Sequence, residues 1–315
     1  MRNFAKTFQT LRLNSHKYKQ TINQKITKFT SKFRTIESSN NRKIQNKKMS
    51  KTILITGGSS GIGKSIGEYL TKKGHTVYGT SRNPERITDS KFPLVALDVR
   101  NVESIQNAVA EIIQKSGKID VVINNAGVGI TGPLEEIPTS EIKNNFETNF
   151  FGPIEVMKAV LPQMRSQKSG LIINITSIAG YMGLPYRSIY SASKGALELL
   201  TESLRMEVKD FGIHITNVAP GDFATNIASG RFHAPLIKGS AYEKPYGNTL
   251  KMMDEHVDSG SNPDEMAIAV SKIIDNPNPK VHYKVGVFMQ KFSIVLKRIL
   301  PDKVYEKMLM NHYKL

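Results

Sequence analysis

The sequence predicts an α/β chain, with a doubly wound, seven-stranded parallel sheet in residues 49–315 followed by a C-terminal helical extension. Three observations carry this reading. From residue 52 onward, short β-branched runs alternate with longer amphipathic stretches, the pattern of strands covered on both faces by crossover helices. A glycine-rich turn follows the first run directly, where a tight strand-to-helix connection is needed. No long linker separates the runs, which argues for one domain rather than two.

Taken in order, the strand candidates are TILIT from Thr52, HTVYGT from His75, PLVALDV from Pro93, IDVVINN from Ile119, GLIINIT from Gly170, IHITNVA from Ile213 and KVHYKVG from Lys280. The stretch after the first turn repeats Ile66 and Leu70 at helical spacing. Between Pro220-Gly221 and a helix starting near Pro263, the chain reads as a long irregular segment, the kind that often serves as a lid. The last element, FMQKFSIVLKRIL, repeats Phe288, Phe292, Val295, Leu296 and Ile299 between Lys291, Lys297 and Arg298, which reads as a basic amphipathic helix.

Composition narrows the chemistry. The chain has no cysteine, and its seven histidines show no metal-ligand spacing, so disulfides, thiolate zinc sites and cysteine nucleophiles are excluded and no metal site is expected. A reducing, cytoplasmic location fits this usage. No run of apolar residues is long enough for a transmembrane helix. The net charge of +17 is uneven: residues 1–48 hold 13 Lys/Arg and one acid, Glu37. The rest of the chain is only mildly basic, and no nucleic-acid partner is expected. The leader 1–48 is poor in buriable surface and reads as disordered. Two further readings stay open for it: a basic amphipathic targeting or membrane-surface helix, or an extension upstream of a natural start at Met49.

The turn itself, Thr56-Gly57-Gly58-Ser59-Ser60-Gly61-Ile62-Gly63, lets backbone N–H groups at a helix N-terminus approach a phosphate. Two nucleotides satisfy it, because Gly58 to Ser65, GSSGIGKS, also fits the GxxxxGK[ST] loop of nucleoside triphosphatases. Residues downstream decide between them. TGGSSGIG, Asp98, Asn124-Asn125-Ala126-Gly127, Asn149 in TNFFGP, Ser177 in NITSIAG, Tyr190-Ser191-Ala192-Ser193-Lys194, and Pro220-Gly221 with Thr225 follow one another in order. In this set the chain resembles the short-chain dehydrogenase/reductase family over about residues 51–230. The resemblance implies a Rossmann fold and a nicotinamide dinucleotide. Gly57, Ser59, Ser60, Gly61, Ile62 and Gly63 would form the pyrophosphate loop, Asp98 and Val99 would flank the adenine, and Asn125, Ala126 and Gly127 would pass the adenosine half. Pro220, Gly221 and Thr225 would close on the cofactor.

Tyr190 and Lys194 are four residues apart, about 400° on a helix, and so share a face. A phenol alone exchanges protons poorly at neutral pH, and a nearby ammonium favours its anion; such a pair suits acid/base work at a carbonyl. Composition alone yields about one Tyr-x-x-x-Lys match in a chain of this kind, and a second one exists at Tyr69 and Lys73. Position separates them, since only Tyr190 has a serine, Ser177, thirteen residues upstream at a strand end, where a second donor would stabilise a developing oxyanion. The resemblance adds that Lys194 bonds the nicotinamide ribose and that Asn149 anchors a water on a proton path.

An acid about 20 residues after the loop selects NAD, whereas an arginine admits the 2′-phosphate of NADP. Here Ser81 stands at the acid's place and Arg82 follows, so NADP(H) is expected over NAD(H). The expected activity is reversible reduction of a ketone or aldehyde to an alcohol. A non-enzymatic NADP-binding sensor remains the alternative. Phe223, Ile227, Phe232, Leu236, Tyr242 and Tyr246, with Met182, Leu184 and Tyr186, either line a pocket for a bulky lipophilic substrate or close the core. The C-terminal segment resembles the helices of hydroxysteroid- and retinol-type members. It is expected to pack over the pocket or against a second subunit, in preference to a membrane surface. The resemblance also implies a homodimer or homotetramer.

Overall fold

In the computed structural model, residues 50–223, 230–258 and 261–315 are described. The leader, Thr225 and Ile227 therefore lie outside the described residues. All seven expected strands form: β1 Thr52–Ile55, β2 Thr76–Ser81, β3 Leu94–Ala96, β4 Val121–Asn124, β6 Gly170–Ile175, β7 Ile213–Pro220 and β9 His282–Val285. They pair in parallel in the order β3-β2-β1-β4-β6-β7-β9. The order reverses at β1, which pairs with both β2 and β4, and a crevice at such a switch point is where ligands of doubly wound sheets bind.

Successive residues of each strand supply opposite faces. Leu54, Val122, Ile172 and Ile215 pack under α2 (Val102–Ser116), α4 (Gly152–Gln167) and α5 (Ser188–Glu207). Ile53, Ile55, Val121, Ile123 and Ile173 pack under α1 (Gly61–Lys72) and α7 (Pro263–Ile274). Burial on both sides explains why these strands are continuously apolar rather than alternating. Helix ends follow local chemistry. The Asn101 side chain accepts from Ser104 N at 2.9 Å to start α2, and Gly117, at φ +71°, ends it. Asn262 accepts from Asp264 N at 2.9 Å ahead of Pro263 to start α7.

The described part of the segment expected to be irregular holds regular structure. It contains the helix α6 (Glu243–Asp258) and the short strand β8 (Phe232–His233), which pairs in parallel with β5 (Ile130–Thr131) in a separate two-stranded sheet. Tyr246, Thr249 and Met253 are all buried on one face of α6, a helical i, i+3, i+7 spacing that the cluster of aromatics obscured. The chain ends in α8 (Phe288–Ile299) and α9 (Asp302–Tyr313). Ile294 and Tyr305 pack with Ile178, Met182 and Ala219 in a small core beyond the sheet. Within the apolar repeat of α8, Leu296 packs into this core beside Met182 and Leu184, whereas Phe288, Phe292, Val295 and Ile299 are exposed.

Candidate active site

The glycine loop forms where backbone must approach backbone. A Cβ on Gly58 would stand 2.7 Å from Gly79 Cα, and one on Gly63 would stand 2.3 Å from Gly57 O; no side chain fits at either place. Gly57, at φ +64°, directs the turn. Thr80 fastens the loop from β2, accepting from Gly57 N through Oγ1 at 3.2 Å and from Gly58 N through its carbonyl at 3.0 Å. Asn125 fastens it from β4, donating through Nδ2 to Thr56 O at 3.0 Å and Gly57 O at 3.1 Å.

Above this loop lies a cavity of about 430 Å³, within the range of small-ligand sites. Gly57, Ser59, Ser60, Gly61, Ile62, Arg82, Asp98, Val99, Asn125, Ala126 and Gly127 line it. Gly63 sits beneath the loop and acts through packing. The N-terminus of α1 opens on the cavity with no acid in its first turn and no side-chain cap, so its free N–H groups and positive dipole end meet no competing carboxylate. Loop, dipole and volume fit a dinucleotide pyrophosphate. Lys64 and Ser65, which the triphosphatase pattern would need at the phosphates, are engaged elsewhere. Lys64 pairs with Asp89, and Ser65 Oγ donates to Asp264 Oδ1 at 2.8 Å. Arg100 is a cavity-wall cation that the spacing arguments missed. It clasps Asp98, with Nη2 3.0 Å from Oδ2, and donates through Nη1 to Asn144 Oδ1 at 2.9 Å. Its hydrogen bonds hold the Asp98 carboxyl below the usual range, with Arg82 adding to the effect.

Gly127 joins this cavity to a second group of side chains. A Cβ there would lie 3.1 Å from Asn149 Oδ1 and 3.4 Å from Lys194 Nζ. Asn149 stands in a π-helical turn, Glu147–Phe151, between α3 (Thr139–Phe146) and α4. Such turns recur at functional sites, and this one carries the asparagine inward to complete burial. Asn149 Oδ1 accepts from Val128 N at 2.8 Å and Nδ2 donates to Val128 O at 2.9 Å. Asn145 and Ser193 complete the cluster, with Ser193 Oγ 2.9 Å from Asn145 Oδ1.

Lys194 is 4% exposed and donates to Ile175 O, at the end of β6, at 3.0 Å. Burial pulls its ammonium below the usual lysine value, against the opposing influence of Tyr190 and Glu198. Its Nζ lies 6.0 Å from the centre of the Tyr190 ring, and the Arg187 guanidinium lies 5.5 Å from the same ring. Ser177 is placed just past β6, where its Oγ accepts from Ala179 N at 3.2 Å and starts a short 3-10 turn. That turn sits flush on α5: a Cβ on Gly180 would be 3.0 Å from the Lys194 carbonyl carbon. In the other Tyr-x-x-x-Lys pair, Lys73 merely lies 5.5 Å over the Tyr69 ring on α1.

Glu198, four residues beyond Lys194, was not anticipated. It is 5% exposed and accepts from Tyr181 OH at 2.8 Å, Asn217 Nδ2 at 2.9 Å and the Thr176 hydroxyl. His282 Nδ1 lies 2.7 Å from it, while Nε2 lies 3.0 Å from Glu202. Burial and the Glu198 charge push the Tyr181 phenol well above its ordinary value. Pro220 ends β7 and Gly221 follows it. Gly221 N donates to Val285 O at 2.8 Å, and the glycine lies against the Gln290 side chain.

The aromatic set divides. Phe223 belongs to the sheet core and Tyr246 is fully buried, its hydroxyl donating to Ala234 O at 3.1 Å. Tyr186, Phe232 and Tyr242 are partly buried in the cluster that also holds Tyr190. Met182 packs under α8 and α9 with Leu184 at the margin, and Leu236 is exposed.

Residues 51–235 match the family described as short chain dehydrogenase. The chain is 41% identical over 262 residues to the 3-ketodihydrosphingosine reductase of Bacteroides thetaiotaomicron, covering 83% of this chain and 97% of the relative. It superposes on a short-chain dehydrogenase from Streptomyces avermitilis with a TM-score of 0.72 at 31% identity, covering 84% and 97% of the two chains. It also superposes on an alcohol dehydrogenase from Thermococcus sibiricus complexed with 5-hydroxy-NADP, with a TM-score of 0.62 at 25% identity, covering 76% and 97%. Glycine loop, reversed strand order and relatives agree: the chain belongs to the short-chain dehydrogenase/reductase family, enzymes that work with a nicotinamide cofactor.

Proposed function

We propose that residues 49–315 act as one domain that reduces a bulky, lipophilic ketone with NADPH. The observation that carries this reading is the position of Gly127, on the nucleotide cavity and beside both Asn149 and Lys194. A bound nicotinamide dinucleotide supplies the hydride. Tyr190 donates the proton to the carbonyl oxygen, with the Lys194 and Arg187 cations beside its ring to offset the charge left on the phenol oxygen. Ser177 supplies a second hydrogen bond to that oxygen. Asn149, fixed to the Val128 backbone, keeps a polar path behind Lys194.

The preference for NADPH rests on Arg82 at the cavity wall and Ser81 where an acid would stand. The lipophilic substrate rests on the partly buried aromatics around Tyr190 and on the relative named for 3-ketodihydrosphingosine, which is the first ketone to try. Exposed Phe151, Leu199 and Met206 on or beside α4 and α5 support assembly as a dimer or tetramer. The absence of cysteine fits work in the cytoplasm.

The test follows NADPH absorbance against carbonyls of increasing chain length. Tyr190→Phe should lose turnover by about 10²-fold or more while NADPH still binds. Arg82→Ala should narrow the preference for NADPH over NADH. Small polar carbonyls outperforming long-chain ketones would overturn the substrate assignment, and an unchanged cofactor preference would overturn the role of Arg82.

A further inference from the structure

The helix α8 is apolar on two opposite sides. Its inner side is anchored: Ile294 is 1% exposed, Gln290 Nε2 donates to Asp222 Oδ2 at 2.7 Å, and Ser293 Oγ reaches Met182 Sδ at 3.8 Å. Behind it, the buried Tyr305 of α9 meets Met182 Sδ at 2.8 Å. The outer side carries Phe288, Phe292, Val295 and Ile299, spaced i, i+4, i+7 and i+11, which confines them to one stripe about 60° wide. Phe288 is 70% and Ile299 72% exposed. The two phenylalanine rings stack at 5.5 Å and 12°, so the stripe is a formed surface rather than scattered residues. An exposed apolar stripe of this kind marks an interaction site.

Charge says what covers it. Lys291 and Arg298 flank the stripe along one edge, and residues 280–315 hold eight basic and two acidic side chains. One of those acids, Asp302, is already paired with Lys297 at 2.8 Å. A second copy is a poor occupant, because a two-fold contact brings the same cations face to face. One face of a helix about 18 Å long and about 10 Å wide also offers only about 180 Å², far short of the roughly 800 Å² per partner that a stable interface buries. An anionic bilayer answers both the apolar stripe and its basic edge. Among the described residues no helix is long and apolar enough to cross a membrane, so the contact is peripheral.

We infer that α8 docks the protein on anionic membrane surfaces, with Phe288, Phe292, Val295 and Ile299 entering the headgroup–acyl boundary and Lys291 and Arg298 meeting lipid phosphates. This surface stands or falls independently of which carbonyl is reduced.

Vesicle binding alone does not test it, because the leader 1–48 carries 13 Lys/Arg of its own. The chain lacks tryptophan, so Phe288→Trp and, separately, Ile299→Trp install local reporters in the full chain. With vesicles of phosphatidylcholine and phosphatidylglycerol, both should shift to the blue and be quenched by brominated acyl chains, more strongly than with phosphatidylcholine alone. Ile268→Trp, on exposed α7 surface, should do neither. Adding Ile299→Asp to the Phe288→Trp chain should weaken the lipid-induced shift about tenfold or more in lipid concentration, with far-UV circular dichroism unchanged. Reporters that stay unshifted while the protein sediments with vesicles would overturn the inference. A blue shift that grows with protein concentration in the absence of lipid would overturn it as well, by assigning the stripe to a second copy.

Discussion

Lys194 carries its ammonium to a place almost without water, with the Ile175 carbonyl 3.0 Å away. Burial lowers its proton affinity in the folded chain. The sign of the consequence follows from linkage: just below the ordinary lysine value of 10.5, the unfolded chain binds more protons than the folded one, so the stability attributable to this residue rises with pH. Lys194→Met should remove that rise, measured as urea midpoints from neutral to alkaline pH; an equal slope in both proteins would refute it. Residues of this kind were legible in the sequence because spacing carried them. Tyr190 and Lys194 share a helix face, Ser177 ends a strand, and the loop glycines sit where a side chain would strike backbone. Arg100 was not legible, because its role depends on reaching Asp98 and Asn144 together. Asn144 is forty-four positions away, and no local pattern announces that contact.

Among the elements, a single side chain of α5 ties that helix to three strands. Glu198 gathers Thr176 from the end of β6, Asn217 from β7 and His282 from β9, together with Tyr181 from the turn after Ser177. These bonds hold the helix that bears Tyr190 and Lys194 against the strand end that bears Ser177. Glu198→Leu removes the carboxylate and leaves the buried Asn217 amide and Tyr181 hydroxyl without the acceptor they share. The expected cost is about 1–3 kcal/mol in denaturant unfolding, with turnover falling more than NADPH affinity, because Glu198 does not touch the nucleotide cavity. A neutral effect on both would remove the tether. The sequence hid this residue for a physical reason: a glutamate on a helix usually faces solvent, and only the packing of three strands reveals that this one does not. The strands of the main sheet were legible because double burial writes continuous apolar runs. β5 and β8, two residues each, are too short to have a period.

On the scale of the whole molecule, two exposed apolar zones have different surroundings and different uses. Leu199 and Met206 are exposed one heptad apart on α5, near Ser203, Glu202 and Glu207, a mixed and weakly acidic setting. The stripe on α8 has a basic edge. A protein–protein contact tolerates the first setting and is opposed by the second, so assembly and membrane contact should be separable by mutation. Leu199→Asp with Met206→Asp should lower the mass seen by light scattering toward a single 35.1 kDa chain and leave lipid-induced tryptophan shifts at position 288 intact. Ile299→Asp should weaken the shifts and leave the mass unchanged. The sequence showed that the last helices were amphipathic and basic, but not which side faced in, because α8 is apolar on both sides and only Ile294 is fully enclosed. If the α5 substitutions also abolished the lipid response, one surface would be acting through the other, and the outward stripe of α8 would need assembly before it could meet a membrane.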